Sequence, residues 1–140
     1  MKHLKKLIFP LLIICGAAAI SWWSSHQEAS IRNHVQTEIT KLVPRFHADP
    51  TLARKFALDP ILEKSLANSL EFVYENSLQS NLDFVVVVTN GDDEMYGDGL
   101  ATHVATIQIN EQPVAGYRII CHSDRAPLQI AGVIPGNTSQ

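Results

Sequence analysis

Asp83-Phe84-Val85-Val86-Val87-Val88-Thr89 marks the point at which the chain changes its hydrophobic period. Before it, apolar residues recur at a spacing near four; after it they alternate. Residues 84–88 are apolar at every position, which predicts a central strand covered on both faces, or very nearly so. Residues 91–99 are turn-rich. Residues 100–110 and 114–122, rich in Thr, Val, Ile and Tyr, read as two further strands joined by a hairpin loop at Asn110-Glu111-Gln112-Pro113. Residues 128–134 supply a fourth strand, ended by Pro135-Gly136.

On the N-terminal side of this switch the pattern is helical. Asp49-Pro50-Thr51-Leu52 and Asp59-Pro60-Ile61-Leu62 echo one another at an offset too short for a solenoid repeat. Each reads as a helix start, with Asp as N-cap and Pro at the first helical position. The first helix has one or two turns, to about Leu58. The second spans residues 60–79, buries Ile61, Leu62, Leu66, Leu70 and Val73, and is the main packing helix. Further back, Ile31, Val35, Ile39 and Leu42 form the stripe of an amphipathic helix that Ser30 can cap and Pro44 stops.

Residues 1–6 are a basic n-region carrying Lys2, Lys5 and Lys6, and residues 7–23, from Leu7 to Trp23, are almost wholly apolar. That run spans about 25 Å as a helix, just enough for a thin bilayer. Trp22 and Trp23 sit where an interfacial aromatic belt belongs, which favours a single-pass anchor. A signal peptide cut after Ala17-Ala18-Ala19 is the alternative, and gives a secreted chain. Acylation of Cys15 is disfavoured by the bulky Ile14 before it. The lysines keep the N-terminus inside, so the C-terminal domain lies outside the cytoplasm, in the periplasm if the source is bacterial.

The expected organisation is therefore a basic segment (1–6), an anchor or signal peptide (7–23), a juxtamembrane amphipathic helix and linker (24–48), an exported domain (49–135) and a tail (136–140). The fold class is α+β: an N-terminal membrane helix, then helices packed on a roughly four-stranded antiparallel sheet. Small extracytoplasmic domains of cystatin-like or NTF2-like shape share this order of elements, an analogy that carries no function.

Composition removes several function classes. With 140 residues, 46% apolar and 18% charged, the chain is neither disordered nor a nucleic-acid tail. A net charge of -3 argues against a phosphate-backbone binder. Two cysteines, Cys15 and Cys121, are too few for a disulfide scaffold or a cysteine zinc site. The sequence contains no glycine-rich phosphate loop and no HExxH. Neither cofactor nor resident metal is expected.

Charge is nevertheless unevenly spread. No Lys or Arg occurs from Ser65 to Tyr117, whereas eight acids do, densest at Asp92, Asp93, Glu94 and Asp98. Calcium favours such oxygen-rich loops, but counting from Asp92 the EF-hand spacing fails at Tyr96 and His103. A solvated hairpin loop is the simpler reading, with a basic partner surface as the other use of the charge. His103 shares a strand face with Ala101, Ala105, Ile107 and Ile109, and Tyr117 lies on the next strand. Cys121 falls near enough to His103 for a Cys–His pair, although no nucleophile elbow or activating helix start accompanies it. His122-Ser123-Asp124 has the letters of a triad, yet sequence neighbours cannot form triad geometry.

The expected function is binding: a membrane-anchored accessory subunit of a cell-envelope complex, with an envelope protein as partner. The expected contact residues are Asp92, Asp93, Glu94, Asp98, His103 and Tyr117; a homo-oligomer is a second partner class. The alternative is a small-ligand domain with a cavity between helix and sheet, and the third a small hydrolase using Cys121 and His103.

Overall fold

The computed structural model describes residues 2–91 and 102–136, the side chains of residues 2–7 and 9 excepted. Its elements are α1 (Lys2–Ala48), α2 (Leu52–Phe56), α3 (Pro60–Asn76), β1 (Phe84–Asn90), β2 (Thr102–Ile109), β3 (Gln112–Ile120) and β4 (Gln129–Pro135). The chain is α+β, with one four-stranded antiparallel sheet in the order β1-β2-β3-β4. Asn137-Thr138-Ser139, which matches the Asn-x-Ser/Thr glycosylation pattern, and the acidic positions Asp92, Asp93, Glu94 and Asp98 lie outside the described residues.

The chain forms two compact units, Met1–Ser30 and Ile31–Gln140. In the first, Trp22 stacks on His26 with ring centroids 5.5 Å apart, and the Ser25 hydroxyl donates to the Ser21 carbonyl at 3.0 Å. Ile8, Leu11, Leu12, Ile13, Ile14, Ile20, Trp22 and Trp23 are all exposed. Among the described residues no helix is long and apolar enough to cross a membrane, so the expected membrane helix at 7–23 is unsupported. Two apolar side chains of that run, Leu7 and Phe9, fall outside the described set.

In the second unit the amphipathic stripe is buried as its spacing predicts: Ile31, Val35, Ile39 and Leu42 join Val43 and Phe46 in the core. Pro44 does not stop this helix; α1 continues to Ala48, and it passes the serines without starting afresh at Ser30. An interior proline costs roughly 3 kcal/mol. Burial of Leu42, Val43 and Phe46 around it offsets that cost, at about 1.5–3 kcal/mol for each large apolar side chain. This part of α1 buries six apolar residues and α3 buries three, so both helices contribute to the core.

The second Asp-Pro start behaves as expected. Asp59 is the N-cap of α3, its carboxylate accepting from the Ile61 amide at 2.9 Å, with Pro60 opening the helix. The first does not: Thr51, not Asp49, precedes α2 and its side chain makes no cap bond to the helix, while Asp49 accepts from the Thr51 hydroxyl (2.6 Å) and amide (3.2 Å) in a local turn. Ile61 is 86% exposed rather than buried. Leu62, Leu66, Leu70 and Val73 already complete a stripe at spacings of four, four and three, and Ile61 falls one helical step outside it.

The run at 84–88 is an edge strand, not a central one. Phe84, Val86 and Val88 turn toward the core, while Val85 (57%) and Val87 (38%) are exposed. Four consecutive valines satisfy strand preference on either face, so an unbroken apolar run does not by itself fix how many faces are covered. The β2–β3 hairpin is tighter than the four-residue loop expected. Asn110 (φ 51°) and Glu111 (φ 64°) alone turn the chain, both in the positive-φ conformation that two-residue hairpins favour. Gln112 and Pro113 belong to β3; Pro113 pairs with Gln108 beside a register shift, where its missing N–H is tolerated.

Candidate functional site

The strand register sets the core face of the sheet. Ala105 stands opposite Tyr117, Ile107 opposite Ala115, and His103 opposite Ile119. His103 and Tyr117, expected as binding residues, are therefore both buried on this face. The Tyr117 hydroxyl shares a hydrogen bond of 2.9 Å with the Ser69 hydroxyl of α3. Burial pushes the Tyr117 phenol up to about 12, against a smaller lowering by that bond. Tyr117 is thus a neutral core residue tied to a helix.

Cys121 follows the end of β3, a buried free thiol that donates to the Ser123 carbonyl at 3.1 Å. Burial raises its pKa, assisted by the nearby Asp124. A thiol nucleophile needs the opposite environment, one that favours the thiolate. The Ser123 hydroxyl accepts from the Ala126 amide at 3.1 Å, closing the turn of which the Ser and Asp of His122-Ser123-Asp124 are part. From α1, His34 Nε2 donates to the Ala126 carbonyl at 3.0 Å, pinning that turn to the helix. Among the described residues, no group of three or more His, Cys, Asp or Glu side chains could hold a metal.

Two concavities lie near the end of β4. The larger, about 450 Å³, is an open groove between α3 and the sheet, with Ser65, Asn68, Ser69 and Phe72 on one wall and Val114, Val133 and Pro135 on the other. The helix wall is legible in retrospect, since those four residues repeat at the spacings of a single helical stripe. The smaller, about 180 Å³, includes Thr106 and Gly116. Both reach Gly136, where an added Cβ would run into the Val114 backbone.

A cluster that sequence reading missed joins α1 to α3. The His47 ring stacks on Tyr74 with centroids 3.7 Å apart and planes within 8°, and its Nδ1 lies 3.6 Å from Glu71 Oε1. Nothing in the spacing of His26, His34 and His47 points to it; the contact depends on how the helices meet.

The two sheet edges are built differently. On β4, Ala57 makes a parallel bridge to Ile130, the Leu58 amide donates to the Ile130 carbonyl at 2.9 Å, and Pro135 ends the strand. On β1, seven residues without proline or charge run in unshifted register with β2, from Phe84↔Ile109 to Asn90↔His103. No family model, curated protein or solved structure matches the chain.

Proposed function

We propose that this chain is a non-catalytic binding subunit, held at a membrane by its N-terminal segment and working in an envelope complex outside the cytoplasm. The observation that carries the reading is the filled interior of the residue 31–140 unit. Tyr117, Ile107, Ile119 and Ile130 from the sheet, with Ile39, Leu42, Leu66 and Leu70 from the helices, are fully buried. A small-molecule site ordinarily needs a concavity of about 300–1,000 Å³ that encloses most of its ligand. A core closed in this way favours action through the outer surface. Attachment by the N-terminal segment is supported by its exposed Leu, Ile and Trp side chains, which lie all round the helix and so call for apolar surroundings.

The test is purification of the full chain from its native membrane with mild detergent, followed by identification of stoichiometric companions. A companion in constant ratio supports the reading; a chain recovered alone from both membrane and soluble fractions overturns it. Mass measurement of the mature chain distinguishes a retained anchor from cleavage near Ala19. A reporter active only in the cytoplasm, fused after Gln140, should stay silent. A second reading has one observation in its favour: the groove of about 450 Å³ falls within the size range of ligand sites. Saturable binding of a small metabolite, lost in Ser69→Phe, would favour it.

A further inference from the structure

We propose that Asn90 is a latent modification site, whose side-chain amide converts to an acid only when the end of the β1–β2 ladder opens. Asn90 is the one asparagine of the chain that a glycine follows. Asparagine is among the chemically labile side chains of proteins, and the residue after it governs how readily it reacts. Gly91 has no Cβ to shield its nitrogen or to restrict its backbone. Asn90 itself is exposed, so water reaches the reacting carbon.

The step is an internal acyl transfer. The Gly91 main-chain nitrogen gives its proton to hydroxide from solvent and attacks the side-chain carbonyl carbon of Asn90. A new C–N bond forms, the bond to the amide nitrogen breaks, and ammonia leaves with a proton from water, which restores the hydroxide. Water then opens the five-membered imide. Opening at the side-chain carbonyl gives aspartate, and opening at the main-chain carbonyl gives isoaspartate. The folded ladder denies both requirements of the attack. The Gly91 amide donates to the Thr102 carbonyl at 2.9 Å, so the proton that must be lost is engaged. Asn90 is the last residue of β1, paired with His103 in an unshifted register. Its extended backbone points the Gly91 nitrogen away from the side chain it must reach. Bond and strand end therefore let go together before reaction, and strand ends open at less cost than the middle of a sheet.

The product makes a passing event permanent. Either acid places a carboxylate in cross-strand register with His103. Isoaspartate also adds an atom to the main chain, so Gly91 no longer meets the Thr102 carbonyl in register. The experiment holds the full chain in detergent, in mildly alkaline buffer at body temperature, and follows each asparagine by peptide mapping and mass spectrometry. In urea, Asn90 should react before every other asparagine. In the folded chain it should react roughly tenfold or more slowly than in urea. Thr89→Gly, an exposed change beside the site that weakens the strand, should speed the folded reaction by about fivefold and leave the urea rate unaltered. Circular dichroism confirms that this variant folds. The isoaspartate form, isolated and refolded, should exchange its Gly91 amide about tenfold faster than the parent while β4 is unchanged.

Another asparagine reacting first in urea overturns the site. Equal rates in folded and unfolded chain overturn the lock. A folded Thr89→Gly chain that reacts no faster than the parent overturns gating by this strand end, and unchanged Gly91 exchange in the isoaspartate form overturns its permanence.

Discussion

The Ser69 and Tyr117 hydroxyls lie 2.9 Å apart, a polar link between α3 and the core face of β3. The two ends of this link differ in their access to water. Tyr117 is fully buried, whereas Ser69 also lines the groove. Ser69→Ala therefore strands a buried phenol and should cost about 1–3 kcal/mol; Tyr117→Phe leaves a hydroxyl that water can reach and should cost about 0.5–1.5 kcal/mol. Urea melts of both variants check the order, and Tyr117→Phe proving the costlier would contradict it. Alkali acts on the same residue. The phenol is raised from 10.0 to about 12 in the folded chain, so the folded state holds its proton where the unfolded state has lost it. Stability is complete below pH 10 and falls as pH rises through about 12, by on the order of 3 kcal/mol. Tyr117→Phe should flatten that part of the pH profile.

Cys121 should be a slow thiol. It is buried, donates to the Ser123 carbonyl and is held protonated by burial, so a water-soluble reagent meets little thiolate. In a Cys15→Ser chain, labelling should stay slow at neutral pH and become fast in denaturant. Rapid labelling of the folded chain would place the sulfur at the surface.

The Asp-Pro echo makes unequal demands on its two carboxylates. Asp59 caps the 17-residue α3, so Asp59→Ala should cost about 0.5–2 kcal/mol and Asp59→Asn much less. Asp49 is exposed and ties only the turn before a five-residue helix. Asp49→Ala should therefore move the melting temperature less than Asp59→Ala does; the reverse ranking would mean that α2 matters more to stability than its length suggests.

Val85 and Leu70 test the edge-strand assignment from opposite sides. Leu70→Ala removes a side chain from the closed core and should cost about 2–5 kcal/mol. Val85→Thr keeps β-branching at an exposed position and should change stability by less than about 0.5 kcal/mol. A central strand covered on both faces would make both substitutions severe.

Calcium should add no specific stability. If Asp92, Asp93, Glu94 and Asp98 are only solvated, melts in calcium and in magnesium at equal ionic strength will coincide, because both ions merely screen. A native-state site would give about 2.7 kcal/mol at a hundredfold excess over its dissociation constant. A rise with calcium alone, lost in Asp92→Asn with Asp98→Asn, would refute this expectation.

What could be read from the sequence was local. The stripe Ile31-Val35-Ile39-Leu42, the Asp59 cap and the four strands all follow from spacing and backbone preference, and the structure has them. What failed depended on tertiary packing. Pro44 looked like a stop because the pattern shows a lost hydrogen bond but not the burial of Val43 and Phe46 on either side of it. The valine run looked central because β-branched residues suit a covered and an open strand alike. Of the site residues, His103 and Tyr117 were placed on neighbouring strands, but nothing in the sequence set them on a common core face or paired Tyr117 with Ser69. Partners 48 positions apart are joined by the crossing of two elements rather than by a motif.

The place of α1 at the start of the chain has a consequence in time. His34 finds its carbonyl partner at Ala126, 92 positions later, and the stripe from Ile31 to Phe46 packs with strands that are all made after it. At roughly 5–20 residues per second, a ribosome needs about 5–20 s to cover that distance. For that interval the newborn helix has its greasy side and no sheet to lay it on. A chain that emerges in this order needs a chaperone, a translocation channel or the lipid surface to shelter the helix until the last hairpin arrives.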